Sequence, residues 1–225
     1  MIHMKMNSKI ITIITLLIGI TFGANAQLSH TQKGVVDEKA KEILSKAKNK
    51  ITASKGISFT SQIIIKDHEK KEKSRQKANV LLSGNKYHIL VGNHIFYCNG
   101  TTVWHHNKET NEVTLNNIEK EEDNILNPAK LFENYEKNFK AKYIRENEDG
   151  SLVIDLNPIK GKEYHKIRLL IDKKTYQLKN MAMFYYDSSQ TEYTIDQYRT
   201  DVKSAEADFV FNPAENKGVE IIDMR

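Results

Sequence analysis

Apolar positions along the chain follow two periods in turn. From Asp37 to about Ser54 they recur at helical spacing, with Ala40, Ile43, Leu44, Ala47 and Ile51 on one stripe and lysine crowding the opposite face. Asp37 suits the N-cap, since its short carboxylate can accept one of the helix's unsatisfied N–H groups. A helix with one apolar stripe lies on a surface rather than inside a core. Gly56 breaks the period, and alternation takes over. Ile57, Phe59, Ile63 and Ile65 share one face of a strand over Ile57–Lys66, and Ala78, Val80 and Leu82 one face of Gln76–Ser83. Tyr87, Ile89 and Val91 align over Lys86–Val91, followed by His94–Cys98, Thr101–His106 around Trp104, and Val113–Leu115. Gly84-Asn85, Gly92-Asn93 and Asn99-Gly100 separate these runs, and Asn-Gly is a strong hairpin signal. An antiparallel meander is the economical reading.

A charge run, Glu119–Asp123, interrupts the strands. Asn127-Pro128 then predicts a helix start, with Asn as cap and Pro at the first helical position, and Leu131, Phe132 and Tyr135 give the helix one apolar face. Strands resume at Tyr143-Ile144, Leu152–Leu156, Lys166–Asp172, Met181–Asp187 and Glu192–Arg199. Two more are expected at the carboxyl end. Phe209 and Phe211 would share a face before Pro213 ends that strand, and Val219, Ile221 and Ile222 resume beyond the Gly218 turn. The pattern is that of one mainly β (α+β) domain over 27–225, with about eleven strands and helices at its start and middle.

Residues 1–26 read as a secretory signal peptide: Lys5 and Lys9, an apolar stretch from Ile10 to Phe22, and small residues at Ala24-Asn25-Ala26. That stretch falls short of the roughly 20 apolar residues of a membrane span, which weighs against an uncleaved anchor. The expected mature chain starts at Gln27, has no cysteine at its start to lipidate, and loses two positive charges, lowering the formal charge from +5 to about +3. The remaining lysines are interleaved with acids, as in Lys66–Arg75. That is a solvated hairpin tip rather than a stripe tracking phosphates, so nucleic acid is not an expected partner.

Candidate chemistry is sparse. Cys98 is the only cysteine, so no disulfide framework exists, and a strand cysteine behaves as a small core residue. No Gly-x-Ser-x-Gly elbow or glycine-rich phosphate loop occurs, and pairs such as Glu121-Glu122 sit in solvated charge runs. His105 and His106, adjacent on a strand, face opposite ways. His94 and His105 are possible cross-strand neighbours, two ligands of the three or four that zinc requires; solvent-facing histidines are the plainer reading. No catalytic residue, metal site or cofactor is expected, and the chain is not read as an enzyme. What remains is large apolar groups on both faces of strands, as in Phe96-Tyr97 and Met181–Tyr186. They fit either a two-sided core or a pocket for flexible chains.

The export signal, the helix-then-meander order, the hairpin Phe96–Thr114 with Asn99-Gly-Thr-Thr-Val-Trp104, the Pro128 helix and the ending Phe209-Val-Phe-Asn-Pro213 together resemble the LolA family of periplasmic lipoprotein carriers. The resemblance spans nearly all of the mature chain. It implies an incomplete, unclosed antiparallel barrel around a hydrophobic cavity, closed by a lid of short helices. It also implies a monomeric periplasmic protein that takes lipoprotein acyl chains from an inner-membrane lipoprotein-releasing transporter and passes them to an outer-membrane acceptor. On this reading Leu131, Phe132 and Tyr135 belong to the lid. Strand alternation offers Phe59, Val80, Leu82, Tyr87, Ile89, Phe96, Trp104, Met183, Tyr185 and Tyr193 as the lining, subject to register. One departure stands out. Where better-studied members carry a lid-tying arginine between the second and third strands, this chain has Ser83-Gly84-Asn85, with Lys86 a loose substitute. A lipid-binding sensor or regulatory module, or a shuttle for another envelope lipid on the same scaffold, is the alternative.

Overall fold

Asp37 caps the first helix as its position suggests. The computed structural model describes residues 37–118 and 128–225. In it the Ala40 N–H donates to Asp37 Oδ1 at 3.0 Å, opening helix α1 (Glu38–Ala53). Ala40, Ile43, Leu44 and Ala47 are the buried stripe of α1. The signal peptide expected over 1–26, the charge run Glu119–Asp123 and the Asn127 cap lie outside the described residues. Among the described residues no helix is long and apolar enough to cross a membrane.

Six strands follow α1: β1 (Ile57–Lys66), β2 (Glu72–Ser83), β3 (Lys86–Val91), β4 (His94–Cys98), β5 (Thr102–Asn107) and β6 (Glu112–Asn117). Helix α2 (Pro128–Asn138) precedes a second meander of β7 (Phe139–Glu146), β8 (Ser151–Pro158), β9 (Tyr164–Asp172), β10 (Leu178–Tyr185) and β11 (Gln190–Thr200). The meanders join because β11 pairs antiparallel with β1, and β12 (Glu220–Asp223) adds in parallel to β6. The result is one twelve-stranded, unclosed sheet in the order β12-β6-β5-β4-β3-β2-β1-β11-β10-β9-β8-β7.

Local sequence explains most joints. The β4–β5 hairpin turns at Asn99-Gly100, where the Asn99 carboxamide oxygen accepts the Thr101 and Thr102 N–H groups and Gly100 takes a φ of +97°. Gly56 lets two backbones touch, since a Cβ there would sit 2.2 Å from the Val202 carbonyl oxygen. Strand β2 begins at Glu72, before the alternation of Ala78, Val80 and Leu82 becomes visible. Pairing with β1, such as Ile65 with Ser74 and Ile63 with Gln76, holds this polar stretch extended. The carboxyl end departs from expectation. Phe209 and Phe211 are not on a strand: Phe209 ends a 3-10 turn (Glu206–Phe209), and Pro213 opens another (Pro213–Glu215). Asp208 Oδ2 accepts the Ala205 N–H at 2.7 Å, curling the chain so that both rings are buried without a ladder.

The register defines two faces. Along one row of the inner face run Val80, Phe59's cross-strand partner, then Ile89, Phe96 and His105. A second row crosses the junction of the meanders through Ile63, Tyr193, Met181, Leu169, Ile154 and Tyr143. Helices α1 and α2 pack with the β7–β10 part of this face, where Phe132 and Tyr135 meet the α1 stripe, Leu156, Ile167 and Met183 in one cluster. A second cluster, from Ile57 to Val103, occupies β1–β5. The outer face is capped at β4–β6 by Phe211, which packs with Val113, Leu115, Tyr97 and Trp104.

Candidate functional site: the apolar inner face

Nine of the ten residues that alternation offered as a lining share the inner face. Phe59, Val80, Leu82, Tyr87, Ile89 and Phe96 fall in the β1–β5 cluster, and Met183, Tyr185 and Tyr193 in the β7–β11 cluster. Tyr193 packs with both, so it spans the seam. Trp104 is the exception. Its cross-strand partners are Tyr97 and Leu115, which places it on the outer face beside Phe211. Its neighbour Val103, fully buried opposite Cys98, takes the inner position instead. Both neighbours are apolar, so alternation alone could not choose between them. Also missed were Cys98 and Tyr198, whose ring stacks on Phe59 at 6.1 Å. An aromatic next to the positive-φ Gln197, where the β1–β11 register shifts, carries no readable period.

Of the residues expected in a lid, Phe132 is 1% exposed and Tyr135 is buried, while Leu131 is half-buried against the same cluster. Both helices thus rest on the inner face. Where α1 ends against the sheet, Lys50, Ile51, Ile57, Phe59, Leu82 and Tyr198 surround a void of about 10 Å³, at most the room for one water. A larger depression of about 390 Å³ opens on the opposite face, with Asn79, Leu81, His88, Leu90 and Arg199 among its walls. Its walls mix apolar side chains with Asn79, His88, Gln197 and Arg199.

The inner face is poor in charge. Burial pushes the Tyr193 and Tyr198 phenols up to about 12, and burial followed by the nearby Glu136 carboxylate does the same for Tyr135. All three stay neutral at ordinary pH. The Ser61 hydroxyl, buried in this face, has no hydrogen-bond partner among the described residues. Lys86 does not reach toward α2. It forms an ion pair with Glu206 of the carboxyl-terminal 3-10 turn, so it does not take the place of the arginine that the family resemblance led one to look for. No group of three or more His, Cys, Asp or Glu is gathered for a metal among the described residues.

An unclosed antiparallel sheet whose apolar inner face is partly covered by helices defines an open-barrel scaffold. The profile of the family described as "Outer membrane lipoprotein carrier protein LolA" matches residues 92–212, more than half of the chain, and the chain belongs to this family. An outer-membrane lipoprotein carrier protein of Wigglesworthia glossinidia brevipalpis is 32% identical over 132 residues, 56% of this chain. That match spans 58% of the relative's length. Among solved structures, an uncharacterized conserved protein from Thermus thermophilus shares the fold at a TM-score of 0.58 and 12% identity, covering 82% of this chain and 99% of that one. A LolA superfamily protein from Nitrosomonas europaea aligns at a TM-score of 0.43 and 10% identity over 76% of this chain and 97% of its own.

Proposed function

We propose that this protein is a periplasmic carrier that shelters the acyl chains of lipoproteins on its inner face while they move from the inner to the outer membrane. The observation that carries the reading is the apolar inner face, on which Tyr193 packs with both the β7–β11 and the β1–β5 clusters, with two amphipathic helices seated on its β7–β10 part. Family membership and the match to a lipoprotein carrier support it. The lining comprises Phe59, Val80, Leu82, Tyr87, Ile89, Phe96, Met183, Tyr185 and Tyr193, and α2, through Leu131, Phe132 and Tyr135, acts as the lid. The partners are an inner-membrane releasing transporter and an outer-membrane acceptor, and the domain is one unit after a cleaved signal peptide.

Energetics shape the mechanism. Each methylene withdrawn from water contributes about 0.8 kcal/mol, so one acyl chain of roughly 15 methylenes contributes about 12 kcal/mol. Where the acyl chain displaces packed side chains of the inner face, the packing given up weakens retention and favours release to an acceptor. The carrier needs no catalytic group: binding and release are exchanges of apolar surface. A lipid-binding sensor or a shuttle for another envelope lipid is the second reading, favoured by the pairing of Lys86 with Glu206, which leaves the lid without the expected latch.

The test is to incubate the mature protein with inner-membrane vesicles carrying labelled lipoprotein and an energised transporter. Soluble label that later passes to outer membranes is the result expected of a carrier. Lipid binding without release of lipoprotein would overturn it in favour of the sensor.

A further inference from the structure

His94 and His105 do not belong to the apolar lining, yet the strands place them together. His94 opens β4 and His105 lies in β5. Phe96 pairs with His105 and His94 with Asn107, so the two histidines are diagonal neighbours on the inner face. His94 Nδ1 and His105 Nε2 lie 3.0 Å apart. The His105 ring is stacked on Phe96, with centroids 4.4 Å apart and planes 6° apart, which fixes its orientation before any ligand arrives. Both residues are half-buried and remain reachable from solvent.

We propose that His94 and His105 form a two-nitrogen binding site for a divalent metal ion of tetragonal preference, copper(II) ahead of nickel(II). The two-ligand set points to such an ion, and the distance is compatible with it. Two nitrogens 3.0 Å apart, each at the usual 2.0–2.1 Å from an ion, subtend about 95° at the metal. That is close to the right angle of a square-planar or tetragonal centre, whereas a tetrahedral ion would spread them to about 3.3 Å. Zinc is further disfavoured because no third His, Cys, Asp or Glu is gathered beside the pair among the described residues. Copper(II) binds imidazole more tightly than zinc and can fill its other equatorial positions with water. In the metal-free pair one ring donates the hydrogen between the two nitrogens. On binding, that ring carries its hydrogen on its other nitrogen, and both lone pairs face the ion. The site does not depend on lipid carriage.

The experiment is titration of the tag-free protein with copper(II), then zinc, by calorimetry, with electron paramagnetic resonance of the copper form. The expected result is an ion with coupling to two imidazole nitrogens, bound about tenfold or more tighter than zinc. His105→Gln should weaken copper binding about tenfold or more. Thr114→His should strengthen it by a similar factor, because position 114 is directly opposite His105 on the same face. Copper binding unchanged in His105→Gln, or not strengthened in a folded Thr114→His variant, would overturn the proposal.

Discussion

The carboxylate of Asp37 holds the backbone of Tyr143. Its Oδ1 caps α1 through the Ala40 N–H at 3.0 Å, and its Oδ2 accepts the Tyr143 N–H at 2.8 Å. One side chain thus fastens the start of the helix to β7, the strand at the open edge of the sheet. The Lys39 ammonium, 3.7 Å from the centroid of the Tyr143 ring, adds to the same joint. Asp37→Ala removes a cap worth about 1 kcal/mol and leaves a partly buried N–H unmatched at about 1–3 kcal/mol. A loss of about 2–4 kcal/mol in chemical denaturation is expected, and Asp37→Asn should recover only part of it, because its amide offers one acceptor oxygen to two N–H groups.

Trp104 is the only tryptophan, and it reports on the outer face. Its emission should therefore stay unchanged when an acyl probe binds, and shift to the red in Phe211→Ala, which uncovers it. A shift on probe binding equal to that of Phe211→Ala would contradict the assigned faces.

If α2 is a lid, it opens independently of the sheet. Amide hydrogen exchange should then be faster across Pro128–Asn138 than in β8, buried at six consecutive positions, and in its partner β9. Phe132→Ala, which would cost about 3–5 kcal/mol in an ordinary core, should show most of its effect as further loss of protection in α2 and little as a fall in global stability. Uniform protection across helix and sheet would sink the lid assignment.

The buried tyrosines set an alkaline limit. An unfolded chain ionises its phenols near 10, whereas Tyr193 and Tyr198 ionise at about 12 in the fold. Their contribution is fully present below pH 10 and is lost as the pH rises toward 12, because the unfolded state sheds its protons first. For Tyr193 the two-unit gap corresponds to about 2.7 kcal/mol. Melting temperature should hold up to pH 10 and fall steeply above it, and Tyr193→Phe should flatten that fall.

Two conservative changes separate packing from latching. Ser61→Ala removes a buried hydroxyl without a partner among the described residues and should leave stability equal or higher. Lys86→Ala breaks an ion pair whose Glu206 is largely exposed and should cost less than about 1 kcal/mol, with lipid uptake unchanged. A large loss of uptake in Lys86→Ala would restore it as a latch.

Particular residues show what the sequence could and could not reveal. The alternation of Tyr87, Ile89 and Val91 named the inner face of β3, since Lys86 and His88 mark the alternate positions as the polar side despite the apolar Leu90. The Asp37 cap and Pro128 start were equally plain, because capping is local chemistry. Trp104 failed because Val103 and Trp104 are both apolar, and only pairing with β4 and β6 decides between them. Strand β8, buried at six consecutive positions from Ser151 to Leu156, reads as a strand but not as a face. Phe209 and Phe211 kept an alternating spacing without a strand. Their burial comes from a turn clamped by Asp208, which hydrophobic period does not encode.

The two halves of the sheet are braced from opposite sides. Helices stiffen β7–β10 from within, whereas the carboxyl-terminal segment, through Phe211 and the parallel β12, straps β4–β6 from without. Between the braces lies the β1–β11 seam, where the pairing slips between Ser58 and Thr60 and Gln197 adopts a φ of +51°. A plate braced at both ends on opposite faces bends where its pairing slips between the braces. Volume for a guest would then come from the two halves flexing apart like a book about its spine, with Tyr193 at the binding.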